Sequence, residues 1–422
     1  ERLIDDGYAL INNEICSNDD DGPREKVVRG ISEMEVQHSL PATFILLFDE
    51  TWKLAAESHR LLLRNNNNNN NQNENERGIL NAKNMAFNFD MLAWYIDPHL
   101  DQAGFSPHRD RQPDSVSALK QSFYGDGQAK YITHWIALAD ANPENSCLYV
   151  IPKGSDPGYL KGDDPPEEEE EEEEDGNKSK DVDDDEKQQF SDPLSRALNT
   201  KQSYQNIRAL PRQPGQSVIF THRILHWGSR GNKHALDVRP RIAISFVYSD
   251  VEFEAPYLSG ESLSSVDSDD CDNGKIKWNS PSFSIRLLLV CAQLLIYYQR
   301  FNLSTATLRA CYEYCKMHSE KLHVAYRKKV FVEYVKAMKE SRDGIPGDDN
   351  GGIDKEGDMN NKYDNGNKEN DYDDDDAANS EDEEALLEEM LNHSEEFEDD
   401  YDDMCDDIGD QSGRSKKRKI GK

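Results

Sequence analysis

The chain has 422 residues, of which only 36% are hydrophobic, and a formal net charge of -34; charge of that size excludes one compact core running through the whole length, because it would repel itself on packing. Residues 161–187 carry a net -12 and residues 343–422 a net -20, so the rest is close to neutral. The acidity belongs to appendages, and nucleic acid is not expected as a partner.

From the N-terminus, Tyr8-Ala9-Leu10-Ile11 reads as a short strand, and Phe44, Leu47, Trp52, Ala55 and Leu62 repeat at helical spacing. Residues 65–77 are rich in asparagine and hold no run able to offset their own ordering entropy, so they read as a disordered insertion. Short runs of β-branched and aromatic residues follow between Gly, Pro, Asp and Asn: 91–96, 130–139, 147–151, 217–222 and 241–248. No long helix separates them, which predicts an antiparallel barrel or sandwich. The eight consecutive glutamates within 161–187 must loop out of it. Beyond Pro256 the periodicity becomes helical, with Leu287, Val290, Cys291, Leu294, Leu295 and Tyr298, then Leu308, Cys311, Tyr312 and Cys315, then Tyr326, Val330, Phe331 and Tyr334.

The expected organisation is a mainly β domain with flanking helices over 1–258, a helical extension over 259–340, and a disordered acidic tail over 341–422. The tail ends in Lys416-Lys417-Arg418-Lys419, a cluster resembling a nuclear import signal. The longest apolar run, 287–298, is too short to span a bilayer and carries Gln293, so it reads as a packed helix. The seven cysteines, Cys16, Cys147, Cys271, Cys291, Cys311, Cys315 and Cys405, are odd in number and scattered. That pattern fits a reducing, intracellular setting, cytoplasmic or nuclear.

The chemistry concentrates in Ser106-Pro107-His108-Arg109-Asp110. Residues two apart at a strand end share a face, so His108 and Asp110 can aim an imidazole and a carboxylate at one metal. A third ligand can come from Pro214–Ser229, where a strand would deliver a histidine to a loop; His222, His226 and His234 compete for that place. Two histidines and one carboxylate leave open positions, as non-haem Fe(II) oxygenases require. In Arg239-Pro240-Arg241-Ile242-Ala243-Ile244-Ser245, Arg241 falls on the inward face, where a guanidinium fork can grip a carboxylate and Ser245 can add a hydroxyl. His134 points to the opposite face from Trp135, and His99 reads as a surface residue.

In order, His108-x-Asp110, Trp135-Ile136-Ala137-Leu138, Asn145–Ser155, Pro214-Gly215 leading to His226, and Arg241-x-Ala243-Ile244-Ser245 resemble the phytanoyl-CoA dioxygenase family over roughly residues 1–250. The opening Asp6-Gly7-Tyr8-Ala9-Leu10-Ile11 resembles its usual start. The resemblance implies a double-stranded β-helix, jelly-roll or cupin-like. It implies Fe(II) on His108, Asp110 and His226, the 2-oxoglutarate carboxylate on Arg241, and Trp135 lining the co-substrate pocket. O2 would be the second co-substrate and succinate and CO2 the products, with hydroxylation favoured because Asp110 fills the place that halogenating relatives leave to halide. The sequence departs from the family in the stretch after His226, where Trp227 stands directly after it and the spacing to Arg241 is longer than usual, and at Pro152-Lys153-Gly154-Ser155-Asp156, which replaces the usual Pro-Gly-Ser-His.

A small-molecule or lipid-like substrate is expected, and no residue selects among acyl-CoA, lipid, metabolite or protein side chain. The arginines and lysine at 208, 212, 223, 230, 233 and 239 are too scattered to mark a CoA-phosphate site. Two other readings use the same features. One is a Zn2+ hydrolase on the two histidines and the aspartate; the other is a non-catalytic barrel whose acidic tail binds a basic protein partner.

Overall fold

The computed structural model describes residues 2–12, 15, 22–37, 40–62, 80, 84–112, 116–162, 193–235, 238–260, 280–301 and 303–343. The asparagine-rich insertion, the run of glutamates, the tail beyond residue 343 with its basic tip, and Cys16, Cys271 and Cys405 lie outside the described residues. By its internal contacts the chain divides after Val330. The larger unit carries all that follows, and the described part of the smaller one is the end of a single helix.

The described strands form two antiparallel sheets. The first pairs β1 (Tyr8–Ile11), β2 (Met85–Ile96), β3 (Tyr131–Ala137), β6 (Ser217–Thr221) and β8 (Arg241–Asp250) in the order β1-β6-β3-β8-β2. The second pairs β4 (Leu148–Ile151), β5 (Arg208–Leu210) and β7 (Leu225–Gly228) in the order β5-β4-β7. The described α-helices are α1 (Arg2–Asp6), α2 (Pro23–Gln37), α3 (Asp49–Leu62), α4 (Val116–Gln121), α5 (Pro193–Ala197), α6 (Phe283–Ile296), α7 (Thr305–Met317) and α8 (Val324–Asp343), the last continuing into the smaller unit.

β8 is central because all ten of its residues are buried, so both of its faces have work to do. Its even-numbered side chains meet an aromatic layer: the Phe87 ring lies 6.0 Å from Phe246 and 5.5 Å from Tyr248, and Phe89 lies 6.4 Å from Trp52 of α3. A polar contact is set into this layer. The Ser58 hydroxyl of α3 bonds both Tyr248 Oη and His134 Nδ1 at 2.7 Å, and His134 Nε2 bonds Ser217 Oγ at 2.8 Å. Burial pulls His134 down to about 3, so it is a neutral structural residue on the face away from Trp135, as expected. The odd-numbered side chains of β8 face the space between the sheets, where the site lies.

The elements that the periodicity did not reveal include α1, α2, α4, α5, β5 and β7. α2 buries Val27, Ile31 and Met34, a stripe too narrow to stand out among its charges. β5 and β7 are three and four residues long, too short to show alternation. β2 also begins at Met85 rather than 91, and its register against β8 shifts between Phe87 and Met91, a bulge in which Phe89 has φ +71°. α6 covers most of the predicted apolar helix, and Gln293 in its middle donates to the Met91 carbonyl at 2.5 Å. Among the described residues no helix is long and apolar enough to cross a membrane.

Candidate functional site

His108 and His226 are brought side by side by the backbone. Each donates its amide to the other's carbonyl, at 3.0 and 3.1 Å, forming an isolated antiparallel bridge. Two expectations are corrected here. His108 and Asp110 lie in an irregular segment rather than at a strand end, and His226 lies on strand β7 rather than in a loop, because Val150 and Tyr149 of β4 pair with His226 and Trp227.

Both imidazoles are oriented in the same way. His108 Nδ1 lies 2.7 Å from the Ser106 carbonyl and His226 Nδ1 lies 3.1 Å from the Ile224 carbonyl. A carbonyl can only accept, so both Nδ1 atoms carry a proton, and in the neutral ring this leaves the lone pair on Nε2. Those lone pairs converge on Asp110, whose Oδ1 is 3.7 Å from His108 Nε2 and 3.6 Å from His226 Nε2. Among the described residues this is the one His/Cys/Asp/Glu trio with ligand atoms within 4.8 Å of one another. Burial holds His226 down, at about 4, and it is therefore neutral and able to ligate. Burial pushes the Asp110 carboxyl up, but His226, His108, the Thr133 hydroxyl and Arg111 together outweigh it and hold the group below its usual value.

Two contacts fix the carboxylate and its loop. Thr133 of β3 donates to Asp110 Oδ2 at 2.5 Å, leaving Oδ1 to face the histidines. Arg109, between the two ligands, turns the other way: it donates to both Asp156 oxygens at 2.6 and 2.9 Å and to the Arg223 carbonyl at 2.5 Å, with both ionic side chains essentially fully buried. The sequence departure at Pro152–Asp156 thus supplies the anchor of the His-x-Asp segment. Asp156→Ala strands a buried guanidinium, so it should lower the unfolding free energy by about 3–5 kcal/mol, read from urea unfolding of the metal-free protein; a loss below about 1 kcal/mol would mean that the pair is not what holds this segment.

Across the cavity, Arg241 opens β8, 2% exposed and opposite Ile96. Its guanidinium lies 5.8 Å from the Trp135 ring, its buried Nε has no partner, and among the described residues it makes no hydrogen bond or ion pair. Burial drags it to about 10, the mark of a charge placed where the protein itself does not compensate it. Ser245 lines the same wall and spends its hydroxyl on one long contact, 3.5 Å to the Leu92 carbonyl. Gly228 leaves room here: a Cβ would come within 2.9 Å of Gly104 Cα and 3.4 Å of Arg241 Nη1. Arg239 is exposed.

The cavity of about 180 Å3 lies between the sheets and takes lining residues from both, including all six site residues expected from the sequence: His108, Asp110, Trp135, His226, Arg241 and Ser245. Trp227, the residue inserted after His226, forms another wall and stacks on Tyr149 with ring centroids 5.7 Å apart. Sequence reasoning missed Thr133, Asp90, Arg111, Tyr131 and Tyr297. Thr133 was within its reach, being two residues before Trp135 on one strand face.

The competing histidines lie elsewhere. His222 is buried against Ser122 Oγ at 2.9 Å and the Tyr131 carbonyl at 3.3 Å, and burial pulls it to about 3. His99 and His234 are exposed. The scattered basic residues do not converge either: Arg223 is buried on the carbonyls of Gly158, Tyr159 and Arg111, while Arg230 pairs with Asp101 at the surface.

Comparison with protein families matches residues 19–235, just over half of the chain, to the family described as phytanoyl-CoA dioxygenase (PhyH). No curated protein matches the sequence. Similar solved structures include the non-haem alpha-ketoglutarate-dependent epimerase SnoN from nogalamycin biosynthesis, with 13% identity over 59% of this chain and 79% of that one and a TM-score of 0.30. AviO1 from Streptomyces viridochromogenes Tue57 shares 15% identity over 59% and 92%, with a TM-score of 0.33. EctD from S. alaskensis, solved with 2-oxoglutarate and 5-hydroxyectoine, shares 16% identity over 61% and 76%, with a TM-score of 0.34.

Proposed function

The chain belongs to the phytanoyl-CoA dioxygenase family, and from that premise we propose that His108, Asp110 and His226 hold its iron while Arg241, with Trp135 and Ser245, holds 2-oxoglutarate. The protein is an oxidoreductase, a dioxygenase dependent on Fe(II), 2-oxoglutarate and O2. One observation carries the residue assignment: a buried arginine without a partner shares a cavity with two oriented imidazoles and a carboxylate. A dicarboxylate that chelates a metal at one end and needs a cation at the other fits that pair of features.

Iron, when bound, supplies the activation of O2 that couples decarboxylation of 2-oxoglutarate, to succinate and CO2, with oxidation of a substrate C–H bond. The protein's residues do the rest. The Nδ1 contacts keep both histidines in the ligating tautomer. The Arg241 fork receives the distal carboxylate bidentately, and burial raises the value of that pairing. Trp135, Leu148, Phe220 and Trp227 wall the cavity with apolar surface that excludes water. Asp110 keeps the third ligand position occupied, which favours hydroxylation over halogenation.

We read the two sheets as the faces of a double-stranded β-helix with the later helices as an extension. A small-molecule or lipid-like substrate fits the site, and the acidic tail remains the proposed docking segment for a basic protein. The non-catalytic and zinc-hydrolase readings leave the unpartnered Arg241 without a purpose.

The test is anaerobic addition of Fe(II) and then 2-oxoglutarate. A visible charge-transfer absorption that needs both supports the assignment, and its absence with both bound sites saturated contradicts chelation. Thr133→Val should weaken Fe(II) binding by about 10- to 100-fold, the usual scale for removing a group that orients a ligand, in competition with a chromophoric chelator. Unaltered affinity would remove Thr133 from the account.

A further inference from the structure

Along β3, Trp135 lies by Arg241, Thr133 by Asp110 and Tyr131 by Asp90, so beyond the His108–Asp110–His226 trio from Arg241 the cavity is lined by Asp90, Arg111, Tyr131 and Tyr297. Asp90 owes its position to the β2 bulge. Between Phe87, opposite Tyr248, and Met91, opposite Phe246, the strand carries two more residues than its partner, and Phe89 turns through φ +71° to accommodate them. A left-handed aromatic residue costs about 1–2 kcal/mol and persists where the surroundings enforce it. Here Asn88 pins the bulge, donating to Ser249 Oγ at 2.7 Å and accepting the Tyr257 amide at 2.8 Å. The result is a carboxylate only 5% exposed that lines the cavity.

Every contact of Asp90 runs through one oxygen. Oδ2 accepts from Tyr257 Oη at 2.7 Å and from Tyr131 Oη at 3.4 Å, and lies 3.9 Å from Arg111 Nη2. Oδ1 has no partner among the described residues and is not sealed from solvent, in a residue that lines the cavity. Tyr297, just past the end of α6, also lines the cavity, and its hydroxyl makes no hydrogen bond among the described residues.

The nearby cation does not answer Asp90. Arg111 gives its fork to both oxygens of Glu254, donates from Nη1 to the Asp110 carbonyl at 2.7 Å, and lies 4.5 Å from the Tyr131 ring centroid. Lys329 acts on Asp90 as well, but from an exposed position where solvent and salt screen it. Among Asp90, Glu254 and Arg111 one negative charge is left over, and the carboxylate free to use it is the one on the cavity. Burial pushes that carboxyl up, so a cation beside it would relieve a standing penalty.

We propose that the substrate presents a protonated amine to this half of the cavity, donating one N–H to Asp90 Oδ1 and another to the Tyr297 hydroxyl. The proposal rests on the iron and 2-oxoglutarate assignment above, and it names the group by which the substrate would be held beside that centre. An anionic head would meet the unpaired carboxylate of Asp90, while Arg300, a cation that acts on Tyr297, is held over the rings of Phe105 and Trp94; a neutral alcohol would leave the Asp90 charge unanswered.

The experiment uses the full chain loaded anaerobically with Fe(II) and 2-oxoglutarate, titrated calorimetrically with n-butylammonium, n-butanol and butyrate. Butylammonium should bind at least about tenfold more tightly than either analogue, by the scale of a charge-assisted hydrogen bond against a neutral one. Asp90→Asn, which keeps an oxygen for the Tyr257 and Tyr131 hydroxyls, should abolish the preference, and Tyr297→Phe should reduce it. Equal binding of the three probes, a preference for butanol or butyrate, or a preference that survives Asp90→Asn would overturn the proposal. 2-Oxoglutarate is titrated into the same iron-loaded proteins: retained binding shows that the variants are folded, whereas failure in the unaltered protein would defeat the underlying site assignment and this proposal with it.

Discussion

Asp110→Ala should weaken Fe(II) binding by roughly a hundredfold or more and abolish 2-oxoglutarate turnover, while the metal-free protein stays folded. Losing a group that merely orients a ligand costs 10- to 100-fold, and Asp110 is the proposed ligand itself, with Oδ1 3.6–3.7 Å from both histidine nitrogens. Stability should fall only modestly: the Thr133 hydroxyl loses its partner, worth about 1 kcal/mol, and Arg111, whose fork is held by Glu254, is not left as an unpaired buried charge. Chelator competition and a thermal melt separate binding from folding; full turnover in a folded variant would break the ligand assignment.

Arg241→Ala should raise the 2-oxoglutarate requirement about thirtyfold or more, since breaking a desolvated, charge-assisted pair costs roughly 2–5 kcal/mol and each tenfold corresponds to about 1.4 kcal/mol. Fe(II) affinity without the co-substrate should stay nearly unchanged. Lysine should restore only part of the loss, because it returns the charge without the planar fork. Arg239→Ala is the control, and its exposure predicts no effect. The same geometry predicts an opposite sign for stability. Arg241 is buried with no ion pair among the described residues, so Arg241→Met should leave the co-substrate-free protein at least as stable as the original while crippling 2-oxoglutarate binding. A co-substrate defect in Arg239→Ala but not in Arg241→Ala would show that the strand assignment is misread.

What was legible in the sequence was local. Arg241-x-x-x-Ser245 places its side chains by strand alternation, and His108-x-Asp110 stood out by its residue types at close spacing although its segment is irregular. His226 was harder, because His222 lies four residues earlier in an equally apolar run. The family resemblance favoured His226 by its distance from Pro214-Gly215, and the backbone bridge to His108, a contact across 118 positions, brings it beside the other proposed ligands. Arg109 shows the limit in another way. Nothing local distinguishes a ligand-flanking arginine that faces solvent from one clamped by Asp156, 47 residues away. Asp90 and Tyr297 were beyond reach altogether: one depends on a bulge that breaks the alternation, and the other lies at the end of a helix past the matched stretch, brought to the cavity by packing. The fold follows the same division. Strands with β-branched and aromatic composition were readable, the four-residue β1 and β4 among them, whereas β5 and β7 exist because β4 offers them hydrogen bonds.

The central claim is that this cavity consumes 2-oxoglutarate at an iron held by His108, Asp110 and His226. It is tested most directly in a single turnover, with the protein loaded anaerobically with one equivalent each of Fe(II) and 2-oxoglutarate and then exposed to O2. The account predicts succinate and CO2 approaching one per iron, and none from Asp110→Ala under the same loading. No succinate from the intact, iron-loaded protein, or equal succinate from the two proteins, would contradict it.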